Sequence, residues 1–363
     1  MPVDAADPRF ARQRALAGFG PEAQQRLAEA RVVVIGAGGL GSAVLPLLAA
    51  AGVGAIEVWD DDTVEASNLH RQTLHSPADV GRPKAESALD ALTRLAPDTE
   101  LVAHVARFAP KVALDAVLDA DLLVDASDDP TTRYLANDIA AVRGIPLVWG
   151  NAIGWAGQVG VAWDARGVDY RDLFPEPDPA ADSCETQGVL PSVCGVIGAA
   201  MASEALKVLT GSGEPLVGRA LLYDARTGGT REVAYRRDPD APRVGSVDDL
   251  TAEKEPDRSR IVEPAELRAL LDGDAPPMLL DVRHPHEFSF AHLEGATLIP
   301  LDDLPSRIDE LDREAPIVVY CHHGMRSGRA LDLMTRAGFT RAKHLNGGID
   351  RWAREVDPAL PRY

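Results

Sequence analysis

Short apolar, β-branched runs at 31–35, 55–59, 100–105, 121–125 and 145–149 alternate with helix-period patterns at about 40–52, 84–96, 111–119 and 130–143. Runs this short, with no polar alternation, suit strands buried on both faces, and their alternation with helices implies a parallel, doubly wound sheet. A further helix is expected near Glu22–Ala30, and Val159–Trp163 continues the series of strands. Residues 164–190 are rich in Pro, Asp and Gly and read as a long loop. Val193–Thr210 reads as a long Ala-rich helix, and Ala220–Asp224 with Arg231–Tyr235 as a closing hairpin. Apolar content falls through 236–260, as in a linker. A second α/β pattern follows, with strands near 278–282, 297–299, 316–320 and 342–345. The expected fold class is α/β: a doubly wound Rossmann-like domain over 1–240, a linker over 241–260, and a smaller α/β domain over 261–363.

Composition narrows the classes. The 363 residues are 45% hydrophobic and 26% charged, ordinary for a water-soluble globular chain of two domains. No apolar run is read as reaching the roughly 18 residues of a membrane span, and the N-terminal stretch with Asp4 and Asp7 lacks a signal core, so a cytoplasmic protein without membrane contact is expected. A net charge of -19 argues against general nucleic-acid binding, which needs basic patches. Cys184, Cys194 and Cys321 cannot all pair, and none has C-x-x-C spacing.

The first strand, Val32 to Ile35, runs into Gly36, Gly38, Gly39 and Gly41, followed by an apolar helix pattern. Bare N–H groups at a helix N-terminus attract phosphate, and a Cβ would block the tight turn. NAD, FAD and ATP all satisfy this motif alone. Asp60, at the end of the second strand, suits a ribose hydroxyl pair. Ser67-Asn68-Leu69-His70-Arg71-Gln72 and Gly81-Arg82-Pro83-Lys84 then favour a nucleoside triphosphate. Arg71 and Lys84 suit phosphates that gain charge as the α–β bond breaks, with Asn68 and Gln72 to position them. Asp128, after the strand at 121–125, sits where a Mg²⁺ ligand would, although an Asp there also suits a helix N-cap.

Together, Gly-Ala-Gly-Gly-Leu-Gly, Trp-Asp-Asp-Asp-Thr-Val, Ser-Asn-Leu-His-Arg-Gln and Gly-Arg-Pro-Lys resemble the MoeB/ThiF/HesA family over about 9–235. The resemblance implies adenylation of the C-terminal glycine of a ubiquitin-like sulfur-carrier protein ending in Gly-Gly, with ATP and Mg²⁺. It places Gly39, Asp60, Ser67, Asn68, Arg71, Lys84, Asp128 and Asp129 at the nucleotide or its metal. It also implies a homodimer, in which Arg12 enters the partner subunit's site. Asp128-Asp129 stands where the family has Asp-Asn. Many relatives hold zinc on two C-x-x-C pairs, which would fall at Asp169–Asp172 and near Pro239–Gly245. Neither segment has cysteine, so no zinc site is expected. Cys184 aligns with the family cysteine that attacks the adenylate or enters a disulfide-type intermediate. Cys194, among Val193, Val196 and Ile197, reads as core.

In the second domain a strand ends at Cys321 and a helix starts near Met325 or Arg326. The loop between them would curl its N–H groups around the sulfur, and Arg326 with the helix N-terminus would stabilise a thiolate or persulfide. Leu-Leu-Asp-Val-Arg, His-Leu-Glu-Gly-Ala and Cys-His-His-Gly-Met-Arg-Ser resemble the rhodanese fold over about 261–363. The C-x4-R ring suits sulfur, whereas the phosphatases of this fold use C-x5-R. His322 and His323 are expected to flank the loop. Over its whole length the chain resembles the MoeZ-type fused adenylyltransferase/sulfurtransferases. That implies a Cys321 persulfide, loaded by thiosulfate or a cysteine desulfurase, that converts the adenylate to a thiocarboxylate. The competing readings are an NAD-dependent oxidoreductase with a rhodanese appendage and a carrier-docking scaffold without turnover. Molybdopterin, thiamine, cysteine, tRNA-thiolation and thiosugar pathways all use such enzymes.

Overall fold

The computed structural model describes residues 2–176, 188–251, 258–273 and 275–361. They fall into two compact units, Met1–Ala252 and Glu253–Tyr363. In the first, one sheet runs β3-β2-β1-β4-β5-β6-β7-β8. Its strands are β1 (Arg31–Ile35), β2 (Ala55–Trp59), β3 (Glu100–His104), β4 (Leu122–Asp125), β5 (Leu147–Ile153), β6 (Ala156–Ala162), β7 (Arg219–Asp224) and β8 (Gly229–Ala234). The strands from β3 through β5 are parallel, and β6, β7 and β8 join antiparallel. The helices are α1 (Gly20–Glu29), α2 (Gly41–Ala50), α3 (Lys84–Leu95), α4 (Pro110–Ala116), α5 (Pro130–Arg143) and α6 (Pro191–Thr210). β1 shows why the short runs carry no polar alternation. Val32 and Val34 enter one core with Leu45, Leu92 and Met201, whereas Val33 and Ile35 enter the opposite core with Phe108, Ile139 and Trp149.

Helix α6 has the length and composition to cross a membrane, with a mean hydropathy of 1.5 over its 18-residue window, contrary to the sequence expectation. Half of that window is buried, and Val193, Cys194, Ile197, Met201 and Ala205 belong to the first core. Cys194 is thus the core residue its neighbours predict.

Two stretches carry more structure than their composition suggests. Within 164–190, Trp163 and Val168 form an antiparallel bridge, and turns of 3-10 helix run over Asp164–Arg166 and Tyr170–Asp172. Tyr170 is buried edge-on against Trp149 and Tyr134, at ring distances of 5.1 and 5.3 Å. Pro, Asp and Gly build turns here, and one aromatic supplies the anchor. The second stretch is 241–251, expected to be linker. Ala241 and Leu250 are buried, Leu250 in the second core, and Val247–Thr251 is helical. Two spaced apolar side chains are enough to dock a segment that is otherwise polar.

The segments where the resemblance would place zinc cysteines are joined by charge. Asp169 and Asp172 form a capping box, each carboxylate accepting the other's backbone N–H. Arg243 binds Asp172 and lies 3.6 Å from Asp169, and Arg237 lies 3.8 Å from Asp169. Burial pushes the Asp169 carboxyl up, against the arginines.

The second unit is a parallel sheet in the order β11-β10-β12-β13-β9. Its strands are β9 (Ile261–Val262), β10 (Met278–Asp281), β11 (Thr297–Leu298), β12 (Ile317–Tyr320) and β13 (Ala342–Leu345). Helices α7 (Pro264–Leu271), α8 (Pro285–Phe290), α9 (Met325–Arg336) and α10 (Gly348–Glu355) accompany them. β9 is too short for periodicity to reveal.

Candidate active sites

The glycine turn joins β1 to α2, and its glycines are needed for different reasons. Gly36 has φ +94°, and a Cβ there would stand 2.9 Å from the Ala126 carbonyl oxygen. On Gly41 it would stand 2.2 Å from the Gly36 oxygen, so the turn closes on itself. On Gly39 it would meet Cys194 Sγ at 2.9 Å. On Gly38 it would meet only Gln72 Nε2, at an ordinary 3.6 Å. The protein alone does not require glycine at 38.

The turn is held at both ends of one peptide unit. The Ala37 N–H donates to Asp60 Oδ2 at 2.7 Å, and the Ala37 carbonyl accepts from His75 Nε2 at 2.8 Å. Because a carbonyl only accepts, His75 carries its proton on Nε2, and Nδ1 accepts from Ser87 Oγ at 2.9 Å. Burial lowers the pKa of His75 and keeps it neutral. Asp60 Oδ1 accepts from the Asp62 N–H at 2.9 Å. Burial raises the Asp60 pKa, opposed by Lys84.

Around this turn lie the other residues expected from sequence. Lys84, 6% exposed, contacts Asp62 at 2.8 Å, and its charge also faces Asp60 and Asp128. Burial alone would lower its pKa, but these carboxylates outweigh burial and hold its proton. Arg71 donates to Asn68 Oδ1 at 2.9 Å and lies beside Gly39. Gln72 is 3% exposed, and its Oε1 has no hydrogen-bond partner. Asp128 is exposed at the carboxyl end of β4. Ser67 is exposed and donates to Glu65 at 3.3 Å. Arg12 is exposed on the turn Ala11–Arg14. Cys184 lies outside the described residues.

Asp129 is not gathered with them. It caps α5, accepting from the Thr131 N–H and Thr132 Oγ1, and pairs with Arg107 at 2.9 Å. Its carboxylate is engaged locally, and Asp129 rather than Asp128 is the residue that caps α5. Sequence reasoning missed the support beneath Asp128. Buried Asp125 accepts from the Ser127 N–H and pairs with Arg133 at 2.6 Å. Arg133 also donates to the carbonyls of Ser127 and Gly150. An acidic residue closing an otherwise apolar strand was the available signal.

In the second unit Cys321 follows β12 and is 1% exposed. The Gly324 N–H donates to its Sγ at 3.1 Å, and Gly324 takes φ +105°. The start of α10 pins the loop from behind, with Ile349 and Asp350 N–H groups donating to the Cys321 and His322 carbonyls. A Cβ on Gly348 would stand 2.2 Å from the His322 oxygen, so this approach requires glycine. Arg326 does not present an uncompensated charge to the sulfur, as the sequence suggested. Glu287 binds it in a two-pronged pair at 2.6 and 2.8 Å. His322 stacks on His323 at 3.9 Å, and burial, then His323, pushes its pKa down to about 3. Among the described residues no group of three or more His, Cys, Asp or Glu side chains is placed to hold a metal.

Comparisons with known proteins match both parts of the chain. Residues 10–243 match the ThiF family and residues 263–355 match the rhodanese-like domain. A probable adenylyltransferase/sulfurtransferase MoeZ of Mycobacterium tuberculosis is 41% identical, covering 98% of this chain and 95% of the relative. A sulfur carrier protein adenylyltransferase of Thermus thermophilus is 47% identical over 65% of this chain and 90% of its own length. The crystal structure of E. coli MccB with ATP shares the fold, with a TM-score of 0.57 at 22% identity over 68% of this chain and 76% of that one. A nucleotide-type glycine turn on a doubly wound sheet, in one chain with a thiol loop, defines a nucleotidyl-transferring enzyme with a sulfur-handling domain. The chain belongs to the ThiF family, in the branch that carries a C-terminal rhodanese-like domain. It is an adenylyltransferase and a sulfurtransferase.

Proposed function

We propose that the first unit adenylates the C-terminal glycine of a small ubiquitin-like sulfur-carrier protein, and that a persulfide on Cys321 then receives the activated acyl group. The observation that carries the reading is the convergence of the glycine turn, Asp60, Asn68, Arg71, Gln72, Lys84 and Asp128 near the carboxyl ends of β1, β2 and β4. Two features there fit a nucleotide. A Cβ at Gly38 would meet no protein obstacle, so the ligand is what excludes it. The buried Gln72 Oε1 lacks a donor that a bound ribose or base would supply.

In this reading Gly38 lets phosphate approach the backbone, and Asp60 accepts from the ribose. Asn68 holds Arg71, and Arg71 with Lys84 neutralises charge as the carrier carboxylate displaces pyrophosphate from the α-phosphorus. Asp128 would hold Mg²⁺, whose charge offsets that of the phosphates. The terminal persulfide sulfur attacks the acyl carbon and AMP leaves. The resulting acyl disulfide is split by a second thiolate, the role proposed for Cys184, to release the thiocarboxylate. The Cys184–Cys321 disulfide that remains is reduced by a cellular thiol. Exposed Arg12, and the uncharged outer side of α6 with Gly195, Val196 and Ser203, support a homodimer. We propose a first domain that keeps residues 241–251 docked on it, a second domain over 261–363, a cytoplasmic location, and no structural zinc.

Carrier-dependent exchange of ATP with pyrophosphate tests the reading. Exchange should appear only with a Gly-Gly-ended carrier, and its absence with every such carrier would sink it. The activities of the relatives do not favour an NAD-dependent oxidoreductase.

A further inference from the structure

We propose that Ser327 and His344 carry the proton of Cys321 out of the sulfur site when the thiol attacks a sulfur donor. This rests on the reading of Cys321 as the sulfur-accepting thiol. Cys321 is almost wholly buried and must still lose a proton to become a nucleophile. Its Sγ lies 3.6 Å from the Ser327 hydroxyl, which is itself fully buried. That hydroxyl lies 3.5 Å from His344 Nδ1, and His344 is half-buried, on the side of the chain of contacts that leads towards solvent. The topology sets this line. β12 and β13 are parallel neighbours with Val319 opposite His344, so the imidazole stands beside the strand that delivers Cys321. Ser327 sits in the first turn of α9, between the two.

The hydroxyl hydrogen has two acceptors, the Gly324 carbonyl at 3.0 Å and His344 Nδ1. Rotation to the second opens a path in which Cys321 S–H passes its proton to Ser327 Oγ and Ser327 passes its own to Nδ1. The freed sulfur pair bonds to the outer sulfur of thiosulfate, the S–S bond of the donor breaks, and sulfite leaves. The products are a Cys321 persulfide anion, sulfite and an imidazolium, so charge and electrons balance without a further oxidant.

His344 suits the acceptor role. Burial, then Arg260, lowers its pKa, and Asp332 opposes them, so it is unprotonated at neutral pH. Arg260 and Asp332 pair with each other at 2.7 Å and present a nearly neutral surface. Around the sulfur, Arg326 is paired with Glu287, and His322 is held neutral beside His323 and Asp350.

The test alkylates the full-length protein with iodoacetamide from pH 5 to 9 and follows the Cys321 peptide by mass spectrometry. In His344→Gln and in Ser327→Ala the pH of half-maximal rate should rise by about one unit, roughly a tenfold loss on the acid side. In thiosulfate:cyanide transfer the acid limb of kcat should move with it, with KM for thiosulfate unchanged. The double variant should be no slower than the slower single variant, since links in series are lost once. Unchanged midpoints in both single variants, a loss of amplitude at a fixed midpoint, or losses that multiply in the double variant would each overturn the relay. Alkylation needs no sulfur donor, so a shifted alkylation profile without any sulfur transfer would instead count against the sulfurtransferase reading of Cys321.

Discussion

At the residue scale, the four glycines of one turn separate into structural and ligand-facing positions. Gly41→Ala drives a methyl into the Gly36 carbonyl, and should destabilise the first unit by about 1–3 kcal/mol in denaturant melts. Gly38→Ala should leave the melt unchanged yet cut ATP–pyrophosphate exchange about a hundredfold. If Gly38→Ala keeps full exchange, the phosphate does not pass there. Arg71→Ala and Lys84→Ala should each lower exchange by at least about a hundredfold, since each removes a charge facing the developing pyrophosphate. Arg71 and Lys84 stood out in the sequence because two cations follow one glycine turn, and the structure places Arg71 beside Gly39 and the charge of Lys84 facing Asp60 and Asp128. His75 and the pair Asp125–Arg133 did not stand out. A buried histidine that bonds one carbonyl gives no local signal, and Asp125, though it closes an apolar strand, gives no hint that its partner is an arginine eight residues on. At Asp128-Asp129 motif position and capping position differ by a single residue, and the structure gives the cap to Asp129.

At the element scale, the apolar runs gave the strands and the burial of both sheet faces, because period and length report packing directly, whereas strand order came from the structure. Turn-rich and charge-rich stretches hid theirs. The segment 164–172 and the stretch 237–243 are tied by three aspartates and two arginines, residue types that read as solvated surface. Asp172→Ala leaves Arg243 facing Asp169 alone and removes the half of the capping box in which Asp172 accepts from the Asp169 N–H. It should cost about 1–3 kcal/mol, with a larger loss at low salt than at high salt. An equal loss at all salt concentrations would mean that the cap, rather than the ion pairs, carries the effect. Asp129→Asn keeps the capping oxygen and should leave both stability and exchange near the parent values.

At the scale of the whole molecule, the two units divide the chemistry. Cys321→Ala should abolish thiosulfate:cyanide sulfur transfer and leave exchange intact. If both activities fall, the division is wrong. Acid should loosen the fold through its histidines. His75, His322 and His344 all have folded pKa values below the usual 6.5, His322 at about 3. The unfolded chain therefore binds protons first, and stability falls as pH drops below about 6.5, by about 1.4 kcal/mol per pH unit for each histidine protonated only on unfolding. Asp60 and Asp169, with raised pKa values, act in the opposite sense at lower pH. Melting midpoints should thus decline between pH 6.5 and 4.5. Replacing His322 with a neutral residue should flatten that decline, and an unaltered slope would assign it elsewhere.

The peptide unit at Ala37 is bonded at its N–H by Asp60 and at its carbonyl by His75, so both of its anchors come from the protein itself. The turn is therefore already in place when a ligand arrives, and little ordering entropy is left to be lost at that moment. Its capture of nucleotide should be a single diffusive encounter without a slow isomerisation behind it, so the observed binding rate should climb linearly with ATP concentration and show no plateau.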